Sequence, residues 1–305
     1  MKRSSRRRNP RGVALILALV VVAIAASVAA RMEWQRAVAY AATRHLLTSQ
    51  QAVLYALSGE TFVGQLLGAL PPNGPVDFRQ PWAEGLPPLP LPHGRIAGRV
   101  VDLEGRFNLN NLITPQGTID PTEIAVFMRL LAELGLPVDL ATNVADWTAA
   151  PGPSGNPQSS VYESREPAYR PAQEPMTSVS ELLLVAGISR TDYLRLRPYV
   201  ATLPGGVALN VNTAPAPVLD ALAANIPAQN LRNAEMVQEQ GGFASTTLFT
   251  SMLGIQAQIP LGVTSNYFRL DLRVHFAGAR VRLRSVLYRS PEGWIRILTR
   301  RFVSD

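Results

Sequence analysis

The sequence predicts an α+β fold: a long N-terminal helix packed on an antiparallel sheet, with a large all-helical domain inserted between strands. Three observations predict it. Val13–Leu70 contains no proline, and its character changes from apolar on all sides to apolar on one face. Residues 268–303 alternate apolar and polar with a period of two, the mark of half-buried strands. Between them lie short amphipathic segments punctuated by capping residues, glycine and proline, which read as helices in hairpins.

The first half of the helix organises the chain. Val13–Ala30 has Ser27 as its sole polar residue, enough to reach the lower end of the roughly 17–25 residues that cross a bilayer. Lys2, Arg3, Arg6, Arg7, Arg8 and Arg11 precede it with no acidic residue among them, which places that end in the cytoplasm and the body on the other side. A cleaved secretory signal is the alternative reading of the same pattern. Taking those six positives off the formal net charge of +7 leaves +1 for the rest, so the body offers nucleic acid little counterion release. Cysteine is absent, which excludes disulfides and thiol nucleophiles.

Beyond Ala30 the helix becomes a spine. Leu46, Val53, Ala56, Leu57, Val63, Leu66, Leu67 and Leu70 recur at helical spacing. Pro71–Pro92 reads as a linker, with extended chain in its Leu-Pro run at 86–92, and Ile96–Asp102 as a strand. Asp102–Leu112 reads as a turn in which Asn and Asp bond locally. Asp120-Pro121 opens a helix through Leu134, and Asp139–Trp147 forms a second. Residues 148–175 read as a long loop. Ser178-Val179-Ser180-Glu181 is a capping box for a helix through Leu184, with Ser189 or Thr191 opening the next. Asn210–Pro215 reads as another cap, followed by helices over Pro227–Gln240 and Thr246–Leu253. Three strands follow, the last over Trp294–Val303, with one apolar face and one rich in arginine.

Catalytic motifs are not evident. His45, His93 and His275 have no metal-ligand spacing, and neither a nucleophile elbow nor a phosphate-cradling loop occurs. A non-enzymatic role is therefore expected. The hairpin at Val185–Ser189, with Arg190, Arg195 and Arg197 nearby, leaves a second function class open: a membrane-anchored, helix–hairpin–helix DNA-binding protein of a DNA uptake system.

Four motifs together carry a resemblance. Arg11-Gly12-Val13-Ala14-Leu15-Ile16 looks like a prepilin-type cleavage site. With Gly105-Arg106-Phe107-Asn108-Leu109-Asn110-Asn111-Leu112, Ser178-Val179-Ser180-Glu181-Leu182 and Asn210-Val211-Asn212-Thr213-Ala214, the chain resembles the protein K family of type II secretion system minor pseudopilins. The resemblance implies a pilin-like fold whose inserted domain is of helix–hairpin–helix, SAM-like type. It implies cleavage by prepilin peptidase after Gly12 and methylation of Val13. It further implies a single-pass inner-membrane protein that works with the assembly platform there. At the tip of the periplasmic pseudopilus it would join the minor pseudopilins I and J, with H a further candidate, in protein export across the outer membrane. The fifth mature position, where most pilins carry Glu, is Leu17, as in protein K at the tip. An unpaired carboxylate there would be costly in lipid.

The implied domains are a leader at 1–12, the membrane helix at 13–30, and spine, linker and first strand at 31–112. The insertion follows at 113–260 and the last strands at 261–305. The family often binds calcium in an acidic loop after an Asp-Trp pair. Here Asp146-Trp147 runs into Thr148-Ala149-Ala150, and the candidate ligands are Asp146, Glu163 and Glu166.

Overall fold

The computed structural model describes residues 10–150 and 159–303, and side chains within 14–150 and 160–303. Helix α1 (Pro10–Gly68) is continuous from the apolar segment into the head. After it come α2 (Pro81–Glu84), β1 (Leu86–Leu91), β2 (Gly94–Asp102) and β3 (Phe107–Asn108). The middle of the chain holds α3 (Pro121–Glu133), α4 (Leu140–Thr148), α5 (Ser159–Glu163), α6 (Arg190–Leu196), β4 (Val200–Ala201), β5 (Leu209–Asn210), α7 (Ala216–Asp220), α8 (Ala228–Glu239) and α9 (Thr246–Leu253). The chain closes with β6 (Leu261–Gly262), β7 (Tyr267–Phe276), β8 (Ala279–Arg289) and β9 (Ile295–Val303).

The main sheet has the order β1-β2-β7-β8-β9 and is antiparallel throughout. The period-two alternation puts Phe268, Leu270, Leu272 and Val274 on one face, where they are buried against Ala52, Ala56, Val63 and Leu67 of α1. An amphipathic helix and a one-sided sheet thus satisfy each other's apolar face. Gly59 lets the two layers close: a Cβ there would stand 2.7 Å from the Ile96 side chain. A separate core, containing Phe107, Phe127, Leu130, Trp147, Leu182 and Phe249, fills the inserted part. Between β2 and β7 in sequence, the chain leaves the sheet, builds that second core and returns, so β2 and β7 are neighbours although their residues lie far apart in sequence.

Several local expectations change. The Leu-Pro run is edge strand β1, not merely extended chain. Pro87, Pro88 and Pro90 are tolerated because an edge strand needs only one row of ladder bonds. The capping box at Ser178 is present, but Val179–Leu184 is a 3-10 turn, closed by the Val185 amide on the Leu182 carbonyl. The helix after Asn210–Pro215 is capped at Pro215, without a side-chain bond. The long loop contains α5, while residues 151–158 lie outside the described set.

Two buried charged side chains, Arg289 and Glu60, tie α1 to the sheet. Arg289, 3% exposed, donates from Nε to the Leu67 carbonyl (2.9 Å) and from Nη2 to the Leu70 and Pro71 carbonyls. Leu67 lies in the last turn of α1 and Leu70 and Pro71 just beyond it, where a positive charge also suits the helix dipole. Glu60, buried on α1, accepts from the Ser285 hydroxyl on β8 and from Arg300 Nε on β9 at 3.0 Å.

Candidate assembly helix and domain junction

Helix α1 presents two surfaces in succession. From Ala14 to Leu47 nearly every described side chain faces solvent. Leu17 is 66% exposed and Trp34 and Tyr40 each 72%. Ser27 Oγ donates to the Ala23 carbonyl at 2.7 Å, so the sole polar group of the apolar run is satisfied within the helix, as lipid requires. Helix α1 is long and apolar enough to cross a membrane. The Gly12–Val13 junction lies inside α1, but its side chains and the basic leader at 1–9 lie outside the described residues.

The junction between the two cores is built from the motifs that read as turns. Asp102, at the end of β2, is fully enclosed. Its Oδ2 accepts from Ser265 Oγ (2.6 Å), Thr213 Oγ1 (2.7 Å) and Asn210 Nδ2 (3.0 Å), and its Oδ1 from the Glu104 amide (2.8 Å). Burial drives its carboxyl pKa upward against the pull of those bonds. Glu104 Oε1 accepts from the amides of Asn266 and Tyr267 at the start of β7. Desolvation, with the Asp102 charge behind it, pushes Glu104 to about 8. Gly105 is required where the chains cross, because a Cβ would stand 2.6 Å from the Thr213 carbonyl oxygen.

The paired asparagines do more than turn the chain. Asn108 Oδ1 accepts from the Asn110 amide, the expected local bond, and also from the Leu203 amide at 2.9 Å. Asn110 pairs both ends of its side chain with Met176, taking the amide on Oδ1 (2.8 Å) and donating to the carbonyl (3.0 Å). Asn212 does the same with Phe243. Asn210 reaches the Val76 carbonyl as well as Asp102. An amide side chain carries both a donor and an acceptor, so it can stand in for a strand partner where none exists. Sequence reading placed Asn108 and Asn110 in a turn and Asn210 and Asn212 in a helix cap because the local bond is visible in the spacing and the partners 31–134 positions away are not.

A cavity of about 10 Å³, room for roughly one water, lies among Glu104, Arg106, Asn108, Asn111 and Glu123. Glu123 Oε2 and Arg106 Nε and Nη1 are buried without a protein partner. Burial raises Glu123 to about 7, with Asp120 adding to it, and lowers Arg106 to about 10.

Of the residues after the Asp-Trp pair, the structure describes Thr148–Ala150 and those from Ser159 onward. Glu163 pairs with Arg170 at 3.4 Å, and among the described residues no three His, Cys, Asp or Glu side chains converge to hold a metal. Instead Trp147 packs on Tyr162 and Tyr169 at ring-centroid distances of 5.3 and 6.2 Å, with the Arg165 guanidinium 5.8 Å from both tyrosine rings. Aromatic and cation–π contacts hold this segment. At the hairpin around Gly187, the Ser189 amide donates to the Asp192 carboxylate at 3.0 Å and is not free to meet a phosphate.

A membrane-length helix that continues into a sheet-bearing head, interrupted by a helical insertion, defines a pilin-like subunit. Family models described as "Type II secretion system (T2SS), protein K" match residues 105–205 and 209–270. Protein K of Pseudomonas aeruginosa is 34% identical over 96% of this chain and 93% of its own. That of Pectobacterium carotovorum is 32% identical over 94% of each. A solved GspK-GspI-GspJ complex from the enterotoxigenic Escherichia coli type 2 secretion system contains a chain with TM-score 0.73 and 24% identity, covering 86% of this chain and 99% of that one, so the fold is shared. The chain belongs to the type II secretion system protein K family, minor pseudopilins of that export machinery.

Proposed function

We propose that the protein is a non-enzymatic subunit at the tip of the periplasmic pseudopilus, assembling there with the minor pseudopilins I and J. The observation that carries this is the exposed apolar surface of α1, which continues past the membrane-length segment to Trp34, Tyr40, Leu46 and Leu47 while the head's own cores are complete. Such a surface calls for lateral packing against other helices. The related E. coli chain, solved in complex with GspI and GspJ, supports the choice of partners. In this reading prepilin peptidase cuts between Gly12 and Val13 in the cytoplasm, and the inner-membrane platform lifts α1 from lipid into the assembly. The bulky insertion then crowns the tip.

N-terminal sequencing of the mature chain tests the processing: a start at Val13 supports it, and a start near Ala30 overturns it. Position 17 offers a functional test. Leu17→Glu is expected to slow extraction of the helix or let the subunit enter below the tip. An unpaired carboxylate within the apolar run is costly in lipid, by up to about 3 kcal/mol at the bilayer centre. Unchanged pseudopilus length together with unchanged secretion would count against the tip assignment.

A further inference from the structure

The two bare aromatic side chains of α1 stand at different heights. At 1.5 Å per residue Val13–Ala30 spans about 27 Å, close to the roughly 30 Å hydrocarbon core of a bilayer. Headgroups bring the whole bilayer to about 40–45 Å, so each polar layer is about 5–7 Å deep. Trp34 lies four residues past Ala30, about 6 Å further along the helix and inside that layer. Tyr40, about 15 Å past Ala30, clears it. Both are 72% exposed, so height separates them and exposure does not.

Charges at both ends of the apolar run bound its depth. Sliding α1 one turn towards the cytoplasm would take Arg31 and Glu33 into hydrocarbon, and sliding it the other way would take Arg11 in. At the outer boundary the Glu33 carboxylate is answered by Arg36 Nη1 at 3.2 Å. Arg31 makes no ion pair among the described residues, which leaves its guanidinium for a lipid phosphate. The head supplies no cover for Trp34. The first buried residue of α1 among those described is Ala52, 18 residues and about 27 Å further up the helix. Helical side chains also lean towards the helix N-terminus, which for Trp34 is the direction of the hydrocarbon.

We infer that Trp34, with Arg31 just below it, sits among phospholipid headgroups and fixes the depth at which α1 is held in the membrane; this rests on the membrane-anchor reading above. An indole offers an apolar ring to the acyl boundary and an N–H to the polar side, which is why tryptophan collects at that level. The flanking charges confine the helix to about one turn of travel, and Trp34 selects a position within it. Tyr40, Leu46 and Leu47 stand above the headgroups and are left for protein contacts. Trp34 joins them only when α1 is lifted from lipid.

The test uses the full-length chain in vesicles of phosphatidylethanolamine and phosphatidylglycerol. The chain has no cysteine, so a single introduced thiol reports depth. Ala29→Cys lies within the apolar run and is expected to resist a membrane-impermeant maleimide. Adding Trp34→Leu keeps an apolar side chain but loses the amphipathic ring, and is expected to raise the labelling rate about threefold or more. Trp34→Tyr, a second interfacial aromatic, is expected to label at the parent rate. Trp34 is remote from both cores, so the head of each variant should melt as wild type does. In a second measurement, the fluorescence that Trp34→Phe removes is expected to be quenched more by lipids brominated close to the headgroups than by lipids brominated near the chain ends. This comparison does not depend on the Leu variant. A smaller rise in labelling for Trp34→Leu overturns the depth anchor. So does a Trp34 signal that neither lipid quenches, or that the deep bromines quench more. Release of the wild-type chain from vesicles by alkaline carbonate overturns the membrane reading itself, and the anchor with it.

Discussion

Asp102→Ala is expected to destabilise the head by about 4 kcal/mol, since stranding buried donors costs roughly 1–3 kcal/mol each and the pocket can relax only in part. Four donors converge on this carboxyl group from three separate stretches of chain: Ser265, Thr213, Asn210 and the Glu104 amide. Removing it leaves the end of β2, the Asn210–Thr213 segment and the approach to β7 without their common acceptor. Against a typical total of about 5–15 kcal/mol, that loss is large, and the thermal midpoint should fall by about 10 °C. The two cores meet here, so the sheet and the insertion should also begin to melt separately, visible as a broadened or split calorimetric transition. Asp102→Asn preserves shape but turns one acceptor into a donor, and is expected to lie between alanine and wild type. A midpoint for Asp102→Ala within about 2 °C of wild type would show that the hub does not hold the cores together.

The second large effect is a loss of stability as pH rises from about 4.5 to about 8. Glu104 and Glu123 start from ordinary values of 4.5 in the unfolded chain and reach about 8 and about 7 in the folded one. In that window the folded state holds protons that the unfolded state has released. Stability contributed by these groups is therefore fully present below their unfolded pKa and is lost as pH climbs through the folded values. Each such proton gives a slope of about 1.4 kcal/mol per pH unit, so the loss accumulates across the whole window. Asp102 moves in the same direction. Urea midpoints taken at pH 5, 6, 7 and 8 should decline steadily. Glu104→Gln should flatten the upper part of the curve, because glutamine keeps an acceptor for the Asn266 and Tyr267 amides while removing the ionisation. Glu123→Gln should flatten the lower part. A wild-type midpoint that is level or rises between pH 5 and 8 would refute the account of a junction held by protonated carboxyl groups.

Helix α1 was legible from residue 13 onward because each half announces its surroundings through periodicity, apolar all round and then on one face only. The final meander was equally legible, since strict alternation over Phe268–Phe276 has one structural solution. Proline hid β1: a Leu-Pro run reads as extended chain, and only the neighbouring β2 shows that it is an edge. Caps at Asp120, Ser178 and Ser189 appear as expected, each being a bond over two or three residues. The charge split was half legible. An arginine-rich face could be read from the strands, but not which arginines stand opposite one another.

What the sequence determined alone is therefore the set of local elements, the membrane-length anchor and the motifs that mark its family. Each follows from interactions within one or two turns of backbone, where spacing is geometry. Tertiary structure decided the rest. It buried Glu60 on α1 beside Ser285 and Arg300, with Arg300 240 positions away. It set Arg289 on carbonyls at and just beyond the end of the same helix. It turned Asn110 from a turn former, and Asn210 and Asn212 from helix-cap residues, into long-range clamps, and Asp102 into the hub between two cores. A polar side chain in sequence has many possible partners, and which one it meets depends on where the whole chain has packed. The assembly helix was written locally; the head that carries it exists only once distant strands are brought into register.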